Sequence, residues 1–292
     1  MESGRAGVYH STLECLVEPN RDAQRGTARM RQRTADRPGP GRPARVRRAG
    51  PLLAGLALLV PALGTATPAA PRLPDHFTAT YDVQAAGQTI GETRWTLATA
   101  PEGRYRLESM TRAVGLFSLL LSGDRREASL WVYDPTRRPR PLRYTFEKGG
   151  GKPQTASIDF DWAARTATSA YRGKTVTLPL TAGTLDALVY VLALMQDLQS
   201  GRPDLTYTLA ERGKVKTYVL SREGTETVRT GLGPVEALKL TRVDEEGRRT
   251  TLWCAPTLGF LPVQMEHQES GGGGLTLRLR SSEGLSSSIP AS

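Results

Sequence analysis

Few side chains in this chain could do chemistry, and their spacing narrows the choice further. Beyond residue 70 there are two histidines, His76 and His267, and one cysteine, Cys254. Roughly 190 positions separate the histidines, and no local carboxylate pattern orients either one. A Cys/His metal site needs three or four such ligands at short spacing, so no metal and no other cofactor is expected. Paired acids come next. Asp159 and Asp161 share one face of a predicted strand, and Glu92 and Arg94 share another. Two carboxylates could hydrolyse a polymer if burial raised one pKa. On the polar face of an amphipathic strand they read as solvated charges, and no catalytic residue is assigned. The Gly-x-Ser-x-Gly elbow of serine hydrolases does not occur. Arg172-Gly173-Lys174-Thr175 ends like a phosphate loop, but Thr168 stands where that motif needs its first glycine. Gly231-Leu232-Gly233-Pro234 puts a proline where a dinucleotide fingerprint opens its helix. Both segments read as turns.

The elements that must position any site are mostly strands. Phe77, Ala79, Tyr81 and Val83 alternate with Thr78, Thr80, Asp82 and Gln84, the period-2 signal of a half-buried strand. A turn at Ala86-Gly87-Gln88 leads to a second strand, Thr89–Ala98, and a third runs over about Tyr105–Arg112. Later segments repeat the pattern between clusters such as Pro101-Glu102-Gly103 and Arg212-Gly213. The fold class expected is mainly β. About a dozen antiparallel strands form a curved sheet or half-barrel wrapped on one long buried helix. That helix is predicted over Leu185–Gln199, with Thr184 as N-cap, Asp186 in the first turn and Gly201 and Pro203 beyond its end. Apolar residues cover nearly its whole circumference, so it should plug the concave side. Cys254, between Trp253 and Ala255 in an apolar segment, is expected to be buried and inert.

Charge and composition bound the compartment. The chain has 292 residues and a formal net charge of +10, but residues 1–70 alone hold 11 Arg against 5 acids. The remainder is only mildly basic, and most of its aromatic residues fall on the apolar phase of their strands. Both features argue against a nucleic acid partner. Residues 1–46 read as a disordered basic extension, or as sequence ahead of a true start at Met30. Residues 47–70 read as a signal peptide: Arg47-Arg48, an apolar stretch from Pro51 to Leu63, then small residues from Gly64 to Ala70. The apolar stretch is shorter than the roughly 20 residues a membrane span needs. Cleavage within 64–71 would leave residues 71–292 as one periplasmic β-rich domain with a short flexible C-terminal tail and no transmembrane span.

A second anomaly is the uncharged run Ala113–Gly123, bounded by Arg112 and by Asp124-Arg125-Arg126. It is either a short crossover packed on the core or an apolar lip at the mouth of a cavity. On the second reading the ligand-binding residues are Leu116, Phe117, Leu119 and Leu120 on the lip, with Leu188, Leu192 and Met195 on the helix.

Several segments, in order, carry a resemblance. They are Tyr81-Asp82-Val83 with Gly91-Glu92-Thr93, Ser109 to Gly115, Pro141 to Tyr144, and Gly183-Thr184-Leu185-Asp186. The closing hairpin Trp253 to Pro256 with Leu261-Pro262-Val263 completes the set. Over roughly residues 75–282 the chain resembles an exported proteobacterial family, domain of unknown function three-one-zero-eight. The resemblance implies an envelope protein with a curved antiparallel sheet around a helix, similar to the half-barrel of periplasmic lipoprotein carriers. It brings no catalytic residues. The leading expectation is a non-enzymatic binding or carrier protein for an apolar or amphipathic, lipid- or lipoprotein-like ligand. An envelope structural module with a filled core and a protein partner is the first alternative. A hydrolase of envelope polymers is the second.

Overall fold

The computed structural model describes residues 71, 73–115, 118, 123–150 and 153–285. The extension 1–46, the leader 47–70 and the lip residues Leu116, Phe117, Leu119 and Leu120 lie outside the described residues. Eight strands come first: β1 (Phe77–Ala85), β2 (Gln88–Ala100), β3 (Arg104–Ala113), β4 (Arg125–Tyr133), β5 (Pro139–Lys148), β6 (Gln154–Asp161), β7 (Thr166–Tyr171) and β8 (Lys174–Pro179). Helix α1 (Val189–Gln199) and the hairpin β9 (Thr206–Glu211) and β10 (Lys214–Val219) follow. Five more strands close the chain: β11 (Ser221–Thr230), β12 (Gly233–Val243), β13 (Arg249–Ala255), β14 (Leu261–Gln268) and β15 (Gly274–Glu283).

Thirteen strands form one antiparallel sheet in the order β11-β12-β13-β14-β15-β1-β2-β3-β4-β5-β6-β7-β8. Every neighbour is also the next strand in sequence, except that β15 pairs with β1. The start and end of the domain therefore sit side by side, and the break in the sheet falls between β8 and β11. Tight turns make this meander possible. Ala86-Gly87, Arg172-Gly173 and Arg212-Gly213 all take positive φ at both positions. That is the two-residue hairpin geometry whose twist matches the flanking strands. The expected fold class is what the structure shows, and both loop-like motifs are hairpin turns.

The segment inserted at the break packs against the inner face of the sheet. Every residue from Val189 to Leu198 is buried, so α1 is covered all round rather than along one stripe. Hairpin β9–β10 then spans the break: the Gly213 amide donates to Ser169 Oγ of β7 at 3.1 Å, and the Arg242 guanidinium of β12 lies 3.8 Å over the Tyr218 ring.

The helix begins later than its spacing predicts. Leu185 makes a parallel bridge to Leu209 of β9, its amide donating to Thr208 O and its carbonyl accepting from Ala210 N, each at 2.9 Å. These residues serve as strand before the chain turns into helix, which local periodicity cannot reveal. Thr184 is not the cap; its hydroxyl donates to Thr181 O at 2.9 Å. The Asp186 carboxylate takes that part, accepting the Leu188 and Val189 amides at 2.9 Å. At the other end Asp197 is salt-bridged to Arg138, in the β4–β5 turn, and accepts the Tyr207 hydroxyl at 2.9 Å. Gln196 Nε2 donates to Pro71 O at 2.8 Å and to Arg137 O at 3.2 Å.

Candidate functional site

The inner face of β2–β5 carries polar groups where a filled core would carry apolar ones. On β4, Arg125, Glu127, Ser129 and Trp131 share one phase and all are buried. Trp131 belongs to the core, so the alternation of the strand turns the preceding polar residues inward with it. On β3, Thr111 and Ser109 lie on the same phase as buried Leu107. Register sets these residues into rows. Thr93 of β2 pairs with Thr111, which pairs with Arg125; Trp95 pairs with Ser109, which pairs with Glu127, opposite Phe146. The next row is Leu97, Leu107, Ser129 and Tyr144.

Within this patch the charges lean on each other and on aromatic rings. Arg125 Nε stands 3.8 Å from Glu127 Oε1, and the guanidinium lies 4.9 Å over the Phe146 ring. The Tyr144 hydroxyl donates to Glu127 Oε2 at 2.9 Å, and the Thr93 and Thr111 hydroxyls bond to each other at 2.8 Å. Ser129 donates to Asp186, joining β4 to the start of α1. Burial pushes the Asp186 carboxyl up to about 6, against the lowering effect of its bonds from Ser129, Val189 and Leu188. Among the described residues of this patch, Trp95 Nε1, Ser109 Oγ and, two rows along on β4, Trp131 Nε1 are buried with no hydrogen-bond partner.

The sequence-predicted residues fall into two groups. Leu188, Leu192 and Met195 are buried in the core, whereas the lip residues lie outside the described ones. The acidic pairs singled out in the sequence face outward: Asp159 pairs with Arg143 at 3.3 Å and Glu92 with Arg280 at 2.7 Å. Arg125, Glu127 and Ser129 were not singled out, although counting back by twos from Trp131 reaches all three. His267 departs from its expected lack of an orienting carboxylate. Its Nε2 lies 3.1 Å from Glu269 Oε1 beside an open cleft of about 350 Å³ at the β14–β15 turn. Burial lowers its pKa below the ordinary value, helped by Arg248 and Arg242 and opposed by Glu269. Cys254 is buried in β13, and burial pushes its thiol far up. No helix among the described residues is long and apolar enough to cross a membrane.

Residues 77–280 match the family described as "Protein of unknown function (DUF3108)", and the chain belongs to that family. No curated protein matches it. Two solved structures are similar at low identity. A β-barrel-like protein of domain of unknown function DUF1849 from Brucella abortus is 14% identical, with 71% of this chain and 97% of that one covered at a TM-score of 0.47. A domain provisionally described as an outer membrane lipoprotein-sorting protein, from Vibrio parahaemolyticus, is 10% identical. There the cover is 71% of this chain and 84% of that one, at a TM-score of 0.20. Neither likeness bears on function.

Proposed function

We propose that this DUF3108 member is a non-enzymatic periplasmic binding or carrier protein for an amphipathic envelope ligand, with the concave face of its sheet as the binding surface. The observation that supports this most is the inward series Arg125, Glu127 and Ser129 on β4. A buried ion pair seldom stabilises a fold more than apolar residues of the same volume would. A largely apolar concave surface with a few placed polar groups is, in contrast, the usual form of a small-molecule site. The uncharged run Ala113–Gly123 is followed along the chain by Asp124 and then Arg125. In this reading Leu116, Phe117, Leu119 and Leu120 form the lip, and Leu188, Leu192 and Met195 back the surface from the helix. The leader 47–70 delivers the protein to the periplasm, where an envelope protein exchanges the ligand with it.

The test is Leu119→Asp against binding of a fluorescent acyl probe, supplied both as the fatty acid and as its methyl ester. On this reading the melting temperature stays within a few degrees while probe affinity falls at least tenfold. A second reading, an envelope structural module with a filled core, draws support from the complete burial of Val189–Leu198. Collapse of the variant's melting temperature, together with no probe binding by the wild type, would establish that reading instead.

A further inference from the structure

We infer that Trp95 Nε1 and Ser109 Oγ are the polar docking point of the concave face and take the carbonyl oxygen of a neutral acyl group, as in an ester. This rests on the binding reading above and specifies its ligand. Trp95 is 1% exposed and Ser109 2%, and neither polar atom has a hydrogen-bond partner. A buried indole N–H and a buried hydroxyl left unmet each cost free energy, so their persistence calls for a partner from outside the chain. The two residues are direct cross-strand neighbours in the β2–β3 register, which brings their side chains to one place. An indole N–H can only donate. The complementary atom is therefore an acceptor, and the Ser109 hydroxyl can donate to the same oxygen.

The neighbouring hydroxyls are already engaged, and the other unmet indole N–H, Trp131 Nε1, lies two rows away on β4. Thr93 bonds Thr111, Tyr144 bonds Glu127, and the Tyr81 hydroxyl donates to Pro262 O at 3.0 Å. Charge selects among acceptors. Glu127 stands opposite Ser109 in the β3–β4 register, and Arg125 lies beside it. A docked carboxylate would add an unbalanced negative charge to a buried, already neutral pair, at a high desolvation cost; an ester carbonyl adds none. One step further along the same strands come Leu97 and Leu107, both buried and opposite each other. An acyl chain running from the docking point meets apolar side chains at once.

Three probes of one shape class test this on the full chain: cis-parinaric acid methyl ester, the free acid, and diphenylhexatriene as a hydrocarbon without a carbonyl. Direct excitation of each probe keeps the readout independent of tryptophan. Ser109→Ala should weaken the ester about five- to tenfold, the usual worth of one neutral hydrogen bond, and leave the hydrocarbon unchanged. Its melting temperature should hold or rise, because no internal hydrogen bond is lost. Trp95→Phe should give the same selective loss, and Ser109→Ala carries the conclusion if that larger change unfolds the protein. A lower melting temperature for Ser109→Ala with unchanged ester affinity would assign the hydroxyl to the fold, or to a trapped water only, and overturn the inference. Equal losses for ester and hydrocarbon would overturn it too. Tighter binding of the acid than of the ester would refute a neutral carbonyl. If hydrocarbon binding persists through these failures, the carrier reading stands without the docking point. If the wild type binds none of the three probes, both fall.

Discussion

Asp186 makes the strongest energetic prediction, because it is fully buried beside the proposed surface and its proton sits at an unusual place. The group is 0% exposed and its carboxyl is raised from 3.8 to about 6. A raised folded value means that the folded chain holds the proton more tightly than the unfolded one. The stabilisation is complete below about 4 and is lost as the pH rises through about 6. Between pH 7.5 and pH 4.5 the linkage amounts to about 2 kcal/mol of added stability on acidification. For a domain near 200 residues this is about 4–8 °C in melting temperature. His267 works in the opposite direction. Burial lowers its pKa, so its contribution is present above the ordinary 6.5 and is lost as the pH falls below it. The wild-type curve alone therefore mixes two opposed slopes. Asp186→Asn removes one of them while its amide oxygen still accepts the Leu188 and Val189 amides. Melting both proteins at half-unit steps from pH 4.5 to 7.5 should give a difference curve that rises by about 2 kcal/mol towards acid. A flat difference, or one rising towards alkali, would show that the carboxylate is solvated and that the start of α1 is not closed over it.

Three further outcomes test the same architecture. Leu192→Ala, at a fully buried position of α1, should cost about 2–5 kcal/mol in urea unfolding, and a cost under about 1 would mean the helix can collapse onto the gap. Arg138→Met leaves Asp197 buried without its main counter-charge. It should cost about 3 kcal/mol by chemical denaturation at pH 7, and half of that loss should return when Asp197→Asn is added. Cys254 should react with a maleimide at least a hundredfold more slowly in buffer than in denaturant, since its thiol is buried and its pKa raised; equal rates would displace β13 from the core.

Local signals made most of the sheet legible, and register made the rest. Phe77, Ala79, Tyr81 and Val83 alternate and are all buried on β1. The glycine-bearing turns at 87, 173 and 213 lie where hairpins need positive φ. Strand β11 was not legible: nearly all of it is exposed and it is paired on one side only, so it carries no apolar phase. The false start of the helix at Leu185 has a non-local cause, the bridge to Leu209. Arg125 and Glu127 were readable in principle from the phase of Trp131. Charges on strands usually point to water, and that rule is overridden here because the strand is fixed by Trp131 stacking on Tyr105 at 4.6 Å. The pairing of Trp95 with Ser109 could not be read at all without knowing which residues face each other across β2 and β3.

The attachments of α1 limit how a ligand could reach the concave face. At its start Asp186 is held by Ser129 of β4, and at its end Asp197 is held by Arg138 and Tyr207. Gln196 adds two bonds to backbone carbonyls at that end. Withdrawing the helix would expose two buried carboxylates and ten buried residues together, a cost comparable to the whole stability of a domain. Binding by displacement of α1 is therefore excluded on energetic grounds. The Trp95–Ser109 point lies instead on β2 and β3, one row from the Thr93–Thr111–Arg125 row and on the side of the β3–β4 connection. A ligand entering there would bring its chain past Leu97 and Leu107 while the helix stays fixed. Cross-linking α1 to the sheet should then leave probe binding intact, whereas a cross-link across the β3–β4 connection should block it.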